Sequence, residues 1–239
     1  MLVTDIHSHC LPGIDDGAQN IDMSTQILDT MAENGIERLV CTPHYYPHEK
    51  SIEKFVYDRN NAYEKLKPHL KNGYPQLYLG AEVLFSRRLI DHPHLHDLCL
   101  QGTDYLFLEM PYKKLTSQII RGVSQIVDSM EVKVLIVHIE RYLNFTDWDD
   151  LMELMSLDVL GQINAKSLMT MRSRKYAIKL FKENYAQFLG SDMHNMTRGD
   201  VTVNNAEKYL EKKVGDGFYK HVMHNCDKLF ANKDIYDIR

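Results

Sequence analysis

Residues 5–17 read Asp5-Ile6-His7-Ser8-His9-Cys10-Leu11-Pro12-Gly13-Ile14-Asp15-Asp16-Gly17, a His-x-His closing an apolar run and leading into an acidic, glycine-bounded loop. Alternate side chains of a strand share a face, so Asp5, His7 and His9 point the same way, and two imidazoles at that spacing can chelate one divalent ion. Similar residues recur at the ends of later apolar runs. His44 follows Thr42-Pro43, Glu82 stands in Gly80-Ala81-Glu82, and Glu109 in Leu108-Glu109-Met110-Pro111. His138 opens His138-Ile139-Glu140-Arg141-Tyr142, and Asp192 and His194 share Ser191-Asp192-Met193-His194-Asn195. A carboxylate such as Glu109, set in Leu106-Phe107-Leu108, costs several kcal/mol to bury unless a cation or donor compensates it. Metal ions supply such compensation.

The elements that must position these groups follow from periodicity. Short apolar runs predict strands over Leu2–His9, Ile36–Thr42, Gln76–Leu84, Tyr105–Met110, Lys133–Ile139, Val159–Asn164 and Gln187–Met193. Amphipathic spacing predicts helices between them, over Met23–Asn34 ending at Gly35, from Ser51 with Ile52, Phe55 and Val56 inward, and over Ser117–Met130, Trp148–Met155, Arg172–Asn184, Asn204–Lys212 and Gly217–His224. A repeated strand–helix order of about seven units implies a parallel sheet that closes or nearly closes into a barrel. In such a barrel the strand ends that carry the His and carboxylate residues converge at one mouth. His92, His94 and His96 also alternate, but no apolar strand leads into them and they read as loop residues. His69, His221 and His224 read as structural, and His48 as a residue of the rim.

The 239 residues, 44% hydrophobic and 26% charged, read as one domain over 1–239 with no linker or internal repeat. The net charge of −5 and the lack of a basic stripe argue against a nucleic-acid partner. No secretion signal or membrane-spanning run is visible, and the four cysteines show no paired spacing. The expectation is a cytoplasmic protein with reduced thiols and no direct membrane insertion.

These motifs, in this order over residues 3 to about 200, resemble the polymerase and histidinol phosphatase (PHP) family of metal-dependent phosphoesterases. Within it, the chain is similar to bacterial tyrosine-protein phosphatases of capsule and exopolysaccharide loci. The resemblance implies a distorted (β/α)7 TIM-like barrel holding three divalent ions, manganese favoured over iron, zinc or magnesium. It implies the ligands His7, His9, Asp16, His44, Glu82, Glu109, His138, Asp192 and His194. By the same matching, one ion falls to His7, His9, Glu82 and Asp192, a second to Glu82, Glu109 and His138, and a third to Asp16, His44 and His194. The sequence alone does not separate Asp15 from Asp16. Arg141 and Arg198 match the arginines that grip phosphate, although the run Asn195-Met196-Thr197-Arg198-Gly199 departs from the Gly-Arg order expected there. Tyr45, Tyr46 and His48 lie on a loop that could flank a phosphotyrosine ring.

The implied chemistry is in-line attack on phosphorus by a metal-activated hydroxide, with the mouth made locally cationic by the ions. The competing thiolate mechanism needs Cys-x5-Arg, whereas the sixth residues after the four cysteines are Asp16, Pro47, Tyr105 and Asn232. The implied substrate is the phosphorylated tail of a bacterial tyrosine kinase, itself a membrane-associated partner. Histidinol phosphate is the competing substrate on the same scaffold. A catalytically silent metal-binding module is a third reading, but it would lack ligands, and none of the nine is missing.

Overall fold

In the computed structural model, which describes residues 1–195 and 202–235, strands and helices alternate along the chain. The strands are β1 (Thr4–Ser8), β2 (Arg38–Cys41), β3 (His44–Tyr45), β4 (Gln76–Leu79), β5 (Glu82–Leu84), β6 (Tyr105–Glu109), β7 (Lys133–Ile136), β8 (Val159–Asn164) and β9 (Phe188–Gly190). The helices are α1 (Ile21–Glu33), α2 (Ile52–Leu66), α3 (Ser117–Ser129), α4 (Trp148–Met155), α5 (Ala165–Met169), α6 (Met171–Lys182), α7 (Val203–Lys213) and α8 (Phe218–Phe230). No helix among the described residues is long and apolar enough to cross a membrane.

Local chemistry sets these boundaries. Asn20 caps α1, its Oδ1 accepting from the Met23 N–H at 3.0 Å, and Gly35 leaves the helix at φ 71°, a conformation glycine adopts without strain. Ser51 caps α2 in the same way, accepting from the Lys54 N–H. The α1 stripe of Ile27, Leu28 and Met31 is fully buried, each side chain contributing about 1.5–3 kcal/mol. Helix α5 escapes the periodicity because it is a single turn, and α8 runs beyond His224 because Cys226 and Leu229 continue its buried face.

Every ladder is parallel, but the closed barrel expected from the strand count does not form. The strands make two sheets, one ordered β1-β2-β4 and the other β3-β5-β6-β7-β8-β9. The expected strand Gln76–Leu84 is broken at Gly80-Ala81 into β4 and β5, and beyond the end of the expected strand Ile36–Thr42 a further short strand, β3, follows Pro43; in both places the two pieces join different sheets. Pro43 has no N–H to give the ladder, though its carbonyl still accepts from the Glu82 N–H at 3.0 Å. Beyond the break, β3 and β5 pair on towards β6, whereas β4 is left as an edge. Gln101 covers that edge, its N–H donating to the Leu79 carbonyl and its Oε1 accepting from the Leu79 N–H. On the other side, β1 and β9 meet through one bridge, Ser8 to Met193, flanked by His9 N–H to Met193 O and Asp192 N–H to His7 O, both 2.9 Å.

Asp5 strengthens that join. Fully buried, it accepts through Oδ1 from the N–H groups of His7 at 3.2 Å and Ser191 at 2.9 Å, while Oδ2 has no partner. Gly190 allows the close approach of β9 to β1, because a Cβ there would lie 2.5 Å from His7 Cβ and 2.8 Å from Gln162 Nε2.

Two outcomes are expected. Gly190→Ala should lower stability by about 1–3 kcal/mol through overpacking, and a melting curve matching the native one would refute the close approach. Burial raises the Asp5 carboxyl from 3.8 to about 6, against the hydrogen bonds that favour its charge. The folded state therefore holds this proton more tightly than the unfolded chain, and the stability it supplies is full below pH 3.8 and lost as pH rises through about 6. Relative to the native chain, Asp5→Asn should gain about 2 kcal/mol between pH 4 and pH 7 in denaturant titrations, and a constant difference across that range would contradict this.

Candidate metal centre

Nine side chains gather at one mouth, from strand ends, from the loops between strands and, for His44 and Glu82, from the first residues of β3 and β5. β1 delivers His7, with His9 one residue beyond its end, and both are buried because β9 and the loop at Gly17 close over them. His7 Nε2 and His9 Nε2 stand 3.2 Å apart, each 3.2 Å from Glu82 Oε2 and 3.5 and 3.4 Å respectively from Asp192 Oδ1. Donors sharing one divalent ion at bonds of about 2.1 Å are themselves about 3.0–3.5 Å apart. This quartet has the spacing of a ligand set.

Two further groups adjoin it. Asp16 Oδ1 lies 3.4 Å from both His44 Nε2 and His194 Nε2, with His9 completing the group. His44, Glu82 and Glu109 form the other, His44 Nδ1 standing 3.1 Å from Glu82 Oε2. His138 Nε2 is 2.6 Å from Glu82 Oε1 and 3.8 Å from Glu109 Oε1. The first grouping is the one the resemblance implied. In the other two, His9 joins Asp16, His44 and His194, and His44 stands where His138 was expected, because its imidazole presents one nitrogen to each group.

Asp16 and Asp15 have separate places. Asp16 faces the cluster, whereas Asp15 sits behind it, accepting through Oδ2 from His9 Nδ1 at 2.8 Å and from the His44 N–H at 3.1 Å. Asp15 thus turns His9 Nε2 inward. Gln162 and Asn164, alternate residues of β8, do similar work. Gln162 Oε1 accepts from the His138 N–H at 2.8 Å and lies 3.4 Å from His7 Nδ1. Its Nε2 donates to Asn164 Oδ1, and Asn164 Nδ2 donates to Asp192 Oδ2 at 2.8 Å. The signal for this pair was present in Val-Leu-Gly-Gln-Ile-Asn, where two amides alternate inside an apolar strand.

The charges are tightly interlocked. Burial acts to raise the Glu82 carboxyl, but the His7 charge and hydrogen bonds from His138, His7 and His9 outweigh it and hold it well below the usual carboxylate range. Burial first, and the Glu82 charge second, push Glu109 up to about 8. Carboxylates this close cannot all ionise without added positive charge. His44 Nδ1 and His138 Nδ1 are buried without a hydrogen-bond partner, the former because its approach to Glu82 is poorly directed. A donor set of imidazoles and carboxylates without thiolate suits manganese, iron, zinc or magnesium. The residues present therefore fit a divalent metal centre.

The cluster floors a cavity of about 830 Å³ whose walls include Tyr46, Tyr112, Arg141, Asn164 and Lys166. Arg141 NH2 lies 2.6 Å from Asp192 Oδ2, and its NH1 donates to the Tyr112 hydroxyl at 3.3 Å. Tyr112 stacks over His138 and Tyr46 over His44, with interplanar angles of 21° and 18°. Tyr112 was not legible as a site residue, since Pro111-Tyr112 reads as an ordinary loop. Tyr45, by contrast, packs on Phe55 in the core, and His48 lies outside the cavity walls. Arg198 lies outside the described residues. His92, His94 and His96 are remote from the cluster, with His96 paired to Asp104 at the surface. A larger cavity, about 980 Å³, opens along the β4 edge and contains none of the candidate residues.

Comparison with known proteins places the chain in a family. The family model for capsular polysaccharide synthesis, CpsB/CapC, matches residues 3–231. The chain belongs to the CpsB/CapC family. It is 25% identical over 247 residues to tyrosine-protein phosphatase YwqE of Bacillus subtilis, covering 97% of this chain and 93% of that one. It is 26% identical over 227 residues to tyrosine-protein phosphatase CpsB of Streptococcus pneumoniae, covering 88% and 90%. Among solved structures, one from a study of YwqE from Bacillus subtilis and CpsB from Streptococcus pneumoniae, metal-dependent tyrosine phosphatases, superposes with a TM-score of 0.83 at 21% identity. That match covers 98% of this chain and 96% of the other. As a CpsB/CapC fold, the observed arrangement of strands is therefore shared by a solved relative.

Gln162→Leu should leave the fold intact and weaken divalent-ion affinity about 10–100-fold, the usual effect of removing a group that orients a ligand. Native affinity in an ion titration of the variant would remove Gln162 from the centre.

Proposed function

We propose that this protein is a metal-dependent tyrosine-protein phosphatase acting on phosphotyrosine in protein chains. The observation that carries the reading is the convergence of His7, His9, Glu82 and Asp192 at ligand spacing on the floor of a cavity edged by Arg141, in a CpsB/CapC chain whose curated relatives are named tyrosine-protein phosphatases. His7, His9, Asp16, His44, Glu82, Glu109, His138, Asp192 and His194 would hold up to three divalent ions, manganese foremost. We read the strand arrangement as an opened form of the seven-unit barrel. The substrate we assign is the phosphorylated tail of a tyrosine kinase that governs capsule or exopolysaccharide synthesis, met in the cytoplasm.

When bound, divalent ions would offset the buried carboxylates and lower the pKa of a water from 15.7 towards ~7. The chain's own groups bind and orient. Burial disfavours the Arg141 charge, but Asp192, Tyr112 and Glu140 outweigh that and keep it protonated. Its planar fork, steadied by Asp192 and Tyr112, has further N–H groups with which to grip nonbridging phosphate oxygens. Arg198 is assigned the same role. Tyr46 and Tyr112 offer flat walls for the substrate ring. The leaving phenolate has a pKa near ~10 and departs without a dedicated acid. All four cysteines are buried and none lines the cavity, so no thiol stands where a phosphocysteine could form.

Chelation should abolish turnover of a phosphotyrosyl peptide, and added manganese should restore it, while a thiol-alkylating agent leaves it unchanged. The opposite pattern would refute the metal mechanism. The same preparation should prefer the peptide to histidinol phosphate in kcat/KM, and the reverse order would overturn the substrate assignment.

A further inference from the structure

Residues 165–182 contain six cationic side chains, Lys166, Arg172, Arg174, Lys175, Lys179 and Lys182, and no acid. The chain carries 28 Lys and Arg, so the remainder holds 22 of them against all 33 Asp and Glu. This segment is a local reversal of charge in an acidic protein. It forms α5 and α6, directly after Asn164, which lines the cavity, as does Lys166 in the first turn of α5. Helix α5 is held to the site, since Ser167 Oγ donates at 2.7 Å to Glu140, the residue before Arg141. Helix α6 follows directly, and Ser173 Oγ in its first turn donates at 2.9 Å to the Ser167 carbonyl.

Part of this charge is already engaged. The Arg174 guanidinium donates to the carbonyls of Leu168 and Met169 and lies over Tyr209. Lys179 sits 3.6 Å over the Trp148 ring and 3.8 Å from Glu183, and Lys182 stands at the far end of α6. At the near end Arg172 and Lys175, the latter 4.6 Å over the Tyr176 ring, are exposed beside Met171, which is 85% exposed. Met171 and Lys175 are spaced i,i+4 and Arg172 and Lys175 i,i+3, so the three share one outward face.

We propose that Lys166, Met171, Arg172 and Lys175 form a docking surface for an acidic peptide segment flanking the phosphotyrosine, outside the cavity itself. The proposal rests on the phosphatase reading and specifies its substrate class. Charge complementarity selects an acidic occupant. Continuity with the cavity through Lys166 selects the same chain that presents its phosphate to the metal cluster. An anionic lipid surface is disfavoured, because Met171 is a lone apolar residue and the apolar side of α6, Ala177, Leu180 and Phe181, is buried.

The test compares two fluorescent peptides of equal length on the manganese-loaded protein, each carrying a non-hydrolysable phosphonate analogue of phosphotyrosine. One has Asp/Glu-rich flanks and the other Ser/Gly-rich flanks. The acidic peptide should bind roughly tenfold more tightly, and the preference should vanish at about 0.5 M salt or in the double variant Arg172→Glu, Lys175→Glu. The variant should hydrolyse p-nitrophenyl phosphate at the native rate. Equal binding of the two peptides by the native protein, or a preference that survives charge reversal, would overturn the docking surface. Sedimentation with phosphatidylserine vesicles that charge reversal abolishes, without any peptide preference, would assign the patch to a membrane instead. Acidic-peptide preference in a protein that turns over no aryl phosphate would sustain docking and overturn the phosphatase reading.

Discussion

Glu82 is the hinge of the charge balance in this molecule. Its side chain is 1% exposed, yet its two oxygens are met by imidazoles of His7, His9, His44 and His138. A buried carboxylate with that company stays ionised only while enough positive charge surrounds it. Asp192 adds a second negative charge a few ångströms away, and with Arg141 the only guanidinium paired to the cluster among the described residues, the balance falls to the His7 and His9 imidazoles and to a Glu109 carboxyl pushed up to about 8; only added cations would let Glu109 ionise and free those imidazoles to act as ligands. The cluster is thus arranged for cations from outside the chain, and the elements around it are arranged to keep it together.

The backbone shows the cost of that arrangement. His138 and Asp192 both adopt left-handed conformations, at φ 36° and 57°, which L side chains disfavour. Each is pinned through its own N–H, which donates to Gln162 Oε1 from His138 and to the His7 carbonyl from Asp192. Strain that persists under such restraint collects at functional sites. Gly17 and Gly190 act from the opposite direction, removing Cβ atoms where the chain presses against His9 and His7. Side chains, backbone turns and missing Cβ atoms therefore all serve one set of distances.

Most of this centre was legible because strand alternation and strand ends are local properties. His7 and His9 share a face through a period of two, and His44, Glu82, Glu109, His138, Asp192 and His194 each follow an apolar run. What could not be read depends on relations between distant residues. That β2 and β3, or β4 and β5, divide between sheets follows from how Pro43 and Gly80 sit against their neighbours, so the break and the open seam beside Gln101 required the fold. The separate duties of Asp15 and Asp16 turn on loop direction, and Tyr112 matters only because a short 3-10 helix over Ile139–Asn144, after β7, brings Arg141 and His138 to it. Helix α5 carries too few residues to show a period, and its six-cation neighbourhood is diluted in a whole-chain charge of −5.

That dilution bears on how the mouth works. Net charge governs the far field, whereas an approaching phosphate within a Debye length of about 8 Å responds to the nearest groups. Near the cluster those groups are of two kinds. Carboxylates line the floor, where bound cations would reverse their sign, and fixed cations of Arg141 and Lys166 stand on the wall. Arg141 contacts Asp192 at 2.6 Å and donates to the Tyr112 hydroxyl, and on the proposed reading its remaining N–H groups would meet the phosphate. On that reading the arginine that steadies Asp192 would also be the group that senses the phosphate, which would couple the integrity of the metal centre to substrate capture through one side chain.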